Sequence, residues 1–419
     1  MSNKNINRKG YKPTKLGWIP DEWEVDIIKK IASKVTDGTH DTPKKVKSGS
    51  PFITAIHVKE RHIDFESCYY LSQEDHEIVF RRCNPELEDV LIVNIGASTG
   101  TSAVVNVDYQ FSLKNVALVK PKKEIIIGYF LNEFLISIKG NLLFKILVGG
   151  AQPFMSLDTI GKITVLLPPL PEQKKIAQIL SSWDEAITTT EKLIEKLKTR
   201  KKGLMQQLLT GKTRLKGFSG EWESVKLRTV ISRFIVPMRD KPKNLKGNIP
   251  WCRIEDFDGK YLVKSKTNQG VSIETIKNMN LKVYPINTLL VSCSANLGKC
   301  AIVKTELITN QTFIGLVPIE NNIDVEFLYY LMIFLERELN RLSSGTTISY
   351  LSREEFEEFK IKIPESEEQK AIAQILTTAD SEININEKYL FELQTQKKGL
   401  MQKLLTGEVR VKTDIKEIA

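Results

Sequence analysis

Residues 171–214 read PEQKKIAQILSSWDEAITTTEKLIEKLKTRKKGLMQQLLTGKTR, and residues 366–410 read SEEQKAIAQILTTADSEININEKYLFELQTQKKGLMQKLLTGEVR. At an offset of 196 residues Gln173 meets Gln369 and Arg214 meets Arg410, and about 24 of 42 positions are identical without a gap. Self-similarity on this scale is a tandem duplication, and so long a period excludes a solenoid of short repeats. Each copy follows prolines (Pro168, Pro169 and Pro171; Pro364) and stops at Thr-Gly (Thr210-Gly211; Thr406-Gly407), the signs of a helix start and a C-cap.

Alternating steps of four and three mark an apolar seam in each copy. In the first it is Ile176, Leu180, Trp183, Ile187, Thr190, Ile194, Leu197, Lys201, Leu204 and Leu208. In the second it is Ile372, Leu376, Ala379, Ile383, Asn386, Leu390, Leu393, Lys397, Leu400 and Leu404. This is coiled-coil spacing, and polar breaks at matching positions (Thr190 with Asn386, Lys201 with Lys397) weaken such a seam while fixing its register. A helix over 172–209 would be about 57 Å long at 1.5 Å per residue. The expectation is an antiparallel pair acting as a stiff spacer, with globular parts related by a pseudo-two-fold axis; two core helices of a bundle are the plainer alternative.

Beyond the helices the repeat weakens but persists. Leu91-Ile92-Val93 is echoed by Leu289-Leu290-Val291, and Leu118-Val119 by Leu316-Val317. Apolar runs bounded by Gly, Asn and Pro predict strands at 90–95, 103–107, 116–119 and 163–167, and again at 289–293, 301–304, 313–317 and 359–363. A helix is expected in each part, over 127–146 and 325–342. The fold class is therefore α+β, with two tandem globular domains, each followed by a long helix. The divisions are a basic N-terminal segment (1–16), a first domain (17–168), a central helix (169–213), a second domain (214–364) and a C-terminal helix with its tail (365–419). The second copy stops near Lys412, just where Leu215-Lys216-Gly217-Phe218 follows the first. Lys15-Leu16-Gly17-Trp18 supplies that segment at the other terminus. The chain reads as a circle cut open, so its two ends are expected to lie together.

Composition narrows the function. Against 51 acidic residues stand 61 basic ones, a formal net charge of +10 that raises the expectation of an anionic partner, nucleic acid before membrane. Five cysteines without a CxxC pair argue against a disulfide framework or a zinc site. The polar, basic N-terminus lacks a secretory h-region, and the apolar stretch 125–148 is interrupted by Asn132, Glu133, Lys139 and Lys145. A cytoplasmic protein with no membrane partner is expected.

Catalytic motifs fail one by one. Gly211-Lys212-Thr213 lacks the earlier glycine of a phosphate-binding loop, since position 206 is Gln206. Asn84-Pro85 is followed by Glu86, not by the proline and aromatic residue of an adenine methyltransferase motif, and no Gly-rich cofactor loop accompanies it. Glu172-Gln173-Lys174 resembles the tail of a nuclease motif, but it opens a helix and repeats as Glu368-Gln369-Lys370, which favours capping or an interface. No catalytic residue, metal ligand or cofactor is assigned to this chain. His40 with Asp41 is the only nucleus for a cryptic enzyme.

Two basic loops stand at equivalent places, each before an apolar strand. The first, Asp37-Gly38-Thr39-His40-Asp41-Thr42-Pro43-Lys44-Lys45, continues to Lys47. The second runs from Pro237 to Gly247 through Arg239, Lys241, Lys243 and Lys246. A charged loop is commonly just solvated surface. Two at matching positions point to DNA, with Lys and Arg holding phosphates while Thr39, His40, Thr42 and Arg239 reach base edges.

With these residues in place, the chain resembles the specificity subunit of type I restriction-modification systems. The marks are Leu167-Pro168-Pro169-Leu170-Pro171-Glu172-Gln173-Lys174-Lys175-Ile176-Ala177, the later Lys202-Gly203-Leu204-Met205-Gln206-Gln207-Leu208-Leu209-Thr210-Gly211, their second copies, and the 37–43 loop. The second domain lacks that loop motif, and Pro364-Glu365-Ser366-Glu367 departs from the first helix start. The resemblance implies two target recognition domains that each read half of a bipartite, asymmetric site on double-stranded DNA. It implies helices that set the gap and dock two adenine-N6 methyltransferase (modification) subunits, which use S-adenosylmethionine. Restriction subunits, using ATP and Mg, would complete the complex, and this chain would carry no catalysis or cofactor. Docking residues expected from exposure are Gln173, Lys201, Lys202, Gln206, Gln369, Lys397, Lys398 and Gln402. A 57 Å spacer spans roughly 17 base pairs at 3.4 Å each, an upper bound on reach. A stand-alone bipartite DNA-binding regulator and a coiled-coil interaction scaffold are the alternatives.

Overall fold

The two repeated segments form helices Leu170–Leu208 and Ser366–Leu404, each of 39 residues. The computed structural model describes residues 6–147, 154–237, 241–293, 298–342 and 351–413. The seam faces inward. Ile176, Leu180, Ile194, Leu197 and Leu208 are buried in the first helix, and Ile372, Leu376, Ala379, Ile383, Leu393 and Leu404 in the second. Trp183, Ile187, Leu204, Leu390 and Leu400 are half-buried. Each helix stops at a glycine in the left-handed region, Gly211 (φ 68°) and Gly407 (φ 69°).

The chain divides into two compact units, Met1–Thr190 with Tyr389–Ala419, and Glu191–Lys388. The division falls inside both long helices, so each unit holds one globular part, the start of one helix and the end of the other. In the second unit Lys198 pairs with Glu387 at 2.9 Å, Arg200 with Glu382, and Lys201 with Asp380 at 2.5 Å. Rising numbers on one helix thus meet falling numbers on the other. In the first unit Asp184 meets Lys397 at 2.5 Å.

The first globular part is built on a four-stranded sheet ordered Ser102–Val104, Val90–Ile92, Ala117–Pro121 and Ala32–Asp37, all antiparallel. Its inner strands Val90–Ile92 and Ala117–Pro121 are mostly apolar because both faces are covered, on one side by helix Gly128–Leu147 and on the other by a smaller core around Ile53, Phe111 and Leu113, whereas the edge strand Ala32–Asp37 is mostly polar. The second unit repeats the order with Cys300–Val303, Leu289–Ser292, Phe313–Pro318 and Ile231–Ile235, and adds Tyr261–Leu262 at the edge. Here the helix expected over 325–342 is two helices, Val325–Phe334 and Glu336–Leu342. The chain tightens at Leu335, whose carbonyl accepts from the Glu338 N–H only three residues on.

A second, three-stranded sheet stands in each unit. In the first, Ser50–Thr54 is central, parallel to Ser112–Lys114 and antiparallel to Tyr69–Leu71. In the second, Ile249–Cys252 is central, parallel to Ile308–Thr309 and antiparallel to Gly270–Val271. The two units share this topology although these segments share little sequence.

Segments near the two ends of the chain meet within the first unit. The Tyr11 hydroxyl donates to the Gly407 carbonyl at 2.6 Å, and Arg410 bonds Glu172 at 2.7 and 2.9 Å and Glu22 at 2.7 Å. Trp23 Nε1 donates to the same Glu172 at 3.0 Å. In the second unit Arg214 grips Glu368 in the same way, at 2.8 and 2.7 Å. Each pair shares the offset of 196 residues, so the same contact is made in the second unit within one continuous segment and in the first between its two segments. Among the described residues no helix is long and apolar enough to cross a membrane.

Candidate nucleic-acid interface

Both basic loops lead into the central strand of a three-stranded sheet. Each is fixed at its base by a glycine that has no room for a side chain. A Cβ on Gly38 would stand 2.2 Å from the Leu113 carbonyl oxygen, and one on Gly247 would stand 1.9 Å from the Val271 carbonyl carbon. The first loop is then tied to the neighbouring strand. Thr39 N–H donates to Leu113 O at 2.9 Å, and Asn115 N–H donates to Thr39 O at 3.2 Å. His40 Nδ1 lies 2.8 Å from Asn115 Oδ1, and its Nε2 lies 3.0 Å from Asp37 Oδ2. Asp37 in turn accepts from Arg82 at 2.9 Å. This loop is pre-organised, so its ordering need not be supplied on binding.

The expected DNA residues separate into two groups. Lys44, Lys45, Lys47, Lys241, Lys243 and Lys246 are exposed, as cations that meet phosphates must be. Lys45 is held over the Tyr69 ring, 3.1 Å from its centroid. Thr42 is exposed and accepts from Lys114. Thr39, by contrast, is buried, and its hydroxyl accepts the Asp41 N–H at 3.1 Å. It shapes the loop and cannot reach a base edge. The His40 ring is exposed, but one nitrogen is engaged by Asp37 of the loop and the other by Asn115 beyond it. Its acidic partner is Asp37 and not Asp41, so the one catalytic nucleus considered from sequence is not assembled. Arg239 lies outside the described residues. Sequence reading missed Lys114, Arg82 and Tyr69. All three become part of the loop only through strand pairing and the helix Gln73–Cys83, which sequence spacing does not display.

The docking residues expected from exposure are likewise divided. Gln173 and Gln369 are buried, each serving its own unit. Gln173 Oε1 accepts from Ile127 N–H at 3.0 Å, and Gln369 Oε1 accepts from Asp324 N–H at 2.9 Å. Lys397 is also buried and Lys201 half-buried, each ion-paired to an aspartate. These four do not face solvent as expected, because intramolecular partners take them inward. Lys202, Gln206, Lys398 and Gln402 are exposed.

Lys202, Gln206 and Gln402 line matching grooves. In the first unit a groove of 350 Å³ runs between Ser137, Ile138 and Asn141 and the helix end at Gly399, Gln402 and Thr406. In the second, a groove of 760 Å³ runs between Ile333, Phe334 and Arg337 and the helix end at Lys202, Gln206 and Thr210. The helix walls carry the repeated sequence, whereas the opposite walls differ. Gly399 and Gly203 sit inside the last two turns of their helices, and a Cβ on either would meet nothing within 4 Å, so internal packing demands neither.

All five cysteines are buried and free. Burial pushes the thiols of Cys83 and Cys293 up to about 11 and that of Cys252 up to about 12. Among the described residues no group of three or more His, Cys, Asp or Glu is placed to hold a metal ion.

The family model for the type I restriction modification DNA specificity domain matches residues 20–199 and 220–395. A Methanocaldococcus jannaschii protein provisionally named the type I restriction enzyme MjaX specificity subunit is 28% identical, covering 97% of this chain and 98% of its own. The MjaVIII specificity subunit of the same organism is 26% identical over 94% of both. The crystal structure of a type I restriction-modification S subunit from M. genitalium superposes with a TM-score of 0.60 at 16% identity, covering 91% of this chain and 96% of its own.

Proposed function

The chain belongs to the type I restriction-modification DNA specificity family, and we propose that it reads a two-part, asymmetric site on double-stranded DNA, one part with each unit. Members of this family are the non-catalytic DNA-recognition subunits of type I systems. The observation that carries the two-part reading is the pair of basic loops, each feeding the central strand of a topologically identical three-stranded sheet. Lys44, Lys45 and Lys47 in one unit and Lys241, Lys243 and Lys246 in the other hold phosphates. Polar groups beside them, exposed Thr42 with half-buried Lys114 in the first, read base edges. The loops differ in sequence, so the two half-sites differ. Two weak readers on one chain bind far more tightly than either alone when the gap between half-sites suits them.

The long helices serve as the spacer, an antiparallel coiled coil that sets this gap. The ion pairs of falling against rising residue number support that reading. The matching grooves dock two modification subunits of one kind. Their shared walls are the repeated helix ends, with Lys202 and Gln206 lining one and Gln402 the other, while each recognition domain remains free to vary on the other side. S-adenosylmethionine then belongs to the modification subunits, and ATP and Mg to restriction subunits that join the complex.

The test is to express this chain with its cognate modification subunit in a methylation-free host and map methyladenine by single-molecule sequencing, beside a control without this chain. A new motif of two short halves and a fixed unspecified gap is expected. A complex that co-purifies but writes no motif would leave an inactive or regulatory member of the family. Neither motif nor complex would favour a stand-alone binder or a scaffold.

A further inference from the structure

The lysines that interrupt the seam are met by more than the opposite helix. In the first unit Lys397 Nζ lies 2.5 Å from Asp184 of the first long helix and 3.6 Å from Glu133 of helix Gly128–Leu147. Arg61, from the globular part, grips Glu133 with two bonds of 2.8 and 3.0 Å and lies 3.4 Å from the same Asp184 oxygen. Two cations and two anions alternate, and Glu60, 3.4 Å from Arg61, is balanced by Lys139 at 3.0 Å, so the cluster is neutral. It joins three bodies, namely both long helices and the globular part. Arg61 adopts φ +67°, an uncommon conformation for a side-chain-bearing residue, and one that its grip on Glu133 helps to hold. The second unit repeats the junction with other chemistry. Lys201 meets Asp380 at 2.5 Å, the Tyr330 hydroxyl donates to Asp380 at 2.6 Å, and Lys260 reaches Thr377 at 2.8 Å and Glu326 at 2.5 Å. Arg61 and Lys260 come from matching places, just before His62–Ile63 and Tyr261–Leu262.

We propose that Lys397, Asp184, Glu133 and Arg61 are positioning residues that lock the first recognition domain at one place on the helix pair, and so hold the gap between half-sites to a single length. The inference rests on the two-part reading above. Ion clusters of this kind are seldom a net source of stability, because desolvating the charges offsets their attraction, but they can select one arrangement over neighbouring ones. An apolar junction of similar volume would hold the helices together without selecting one seat for the domain.

The test uses the complex of the full chain with its modification subunit and reads the distribution of gap lengths by single-molecule methylation sequencing. A quadruple variant, R61M/E133L/D184L/K397M, is expected to unfold at or above the wild-type temperature. It should methylate the same two half-sites at the wild-type gap and also at gaps one base pair longer or shorter. Lys397→Arg, which keeps the charge, should retain one gap. Tyr330→Phe removes a single hydroxyl from the second junction and should broaden the gap even if the quadruple variant fails to fold. A purely structural role would lower methylation without widening the distribution. Variants that assemble and keep one sharp gap would overturn the lock alone, whereas a wild-type complex that writes no two-part motif would overturn the underlying reading and this inference with it.

Discussion

His57 is buried, and its Nδ1 accepts the Thr54 N–H at 3.0 Å, which holds the short turn after the central strand of the first small sheet. Burial lowers its pKa from the ordinary 6.5, so the folded chain favours the neutral ring while the unfolded chain takes up a proton at its usual pH. This contribution to stability is complete above about pH 6.5 and is lost as the pH falls below that, down to the folded-state value. Thermal melts at pH 7.5 and 5.5 should show the loss, and His57→Gln, which keeps an acceptor, should flatten it. In the same domain, Lys44 and Lys47 are exposed on a loop whose base is rigid. Replacing either with Ala should weaken DNA binding about equally for all sequences. It should also reduce the slope of log affinity against log salt by about one, measured by fluorescence anisotropy. Residue type made these lysines legible. It could not tell Thr39 from Thr42, since burial of the first follows from its strand-like bonds to Leu113 and Asn115, partners more than 70 residues away in sequence.

Elements were legible where a spacing repeats. The prolines and the Thr-Gly stop put the first long helix within two residues of its observed start, and the three-and-four seam marked the face that each helix buries, because an apolar stripe at that period has only one way to be buried. The expectation of docking from exposure misplaced Gln173, Gln369, Lys201 and Lys397, although the seam itself turned both lysines inward. The repeat shows that a residue recurs, but not whether it recurs for the chain's own packing or for a partner. Gly203 and Gly399 show how the two can be separated. Glycine inside a helix costs about 0.5–1 kcal/mol relative to alanine, and here no neighbour would resist the added methyl. Gly203→Ala and Gly399→Ala should each raise stability by about that amount in denaturant titrations. If the grooves seat the modification subunits closely, the double variant should bind them more weakly by calorimetry despite being more stable. Equal or tighter binding would leave the glycines without a docking role.

Across the whole molecule, duplication governs what can change. The contacts of Arg214 with Glu368 and of Arg410 with Glu172 show that one unit design is closed twice, once within a continuous segment and once between two separate segments of the chain. The parts that repeat nearly unchanged are helix, helix end and groove wall, and the parts that diverge are the loops above the small sheets. Spacing and base choice should then be separable by mutation. Four residues inserted after Thr190, with four after Asn386 to keep the helices matched, add about 6 Å at 1.5 Å per residue, or about two base pairs at 3.4 Å each. The methylated motif should keep both halves and lengthen its gap by that amount. Both insertions lie on the polar break of the seam, where no large apolar side chain must be displaced. A change in either half-site would mean that the helices take part in reading bases. An unchanged gap would mean that something other than helix length sets the spacing.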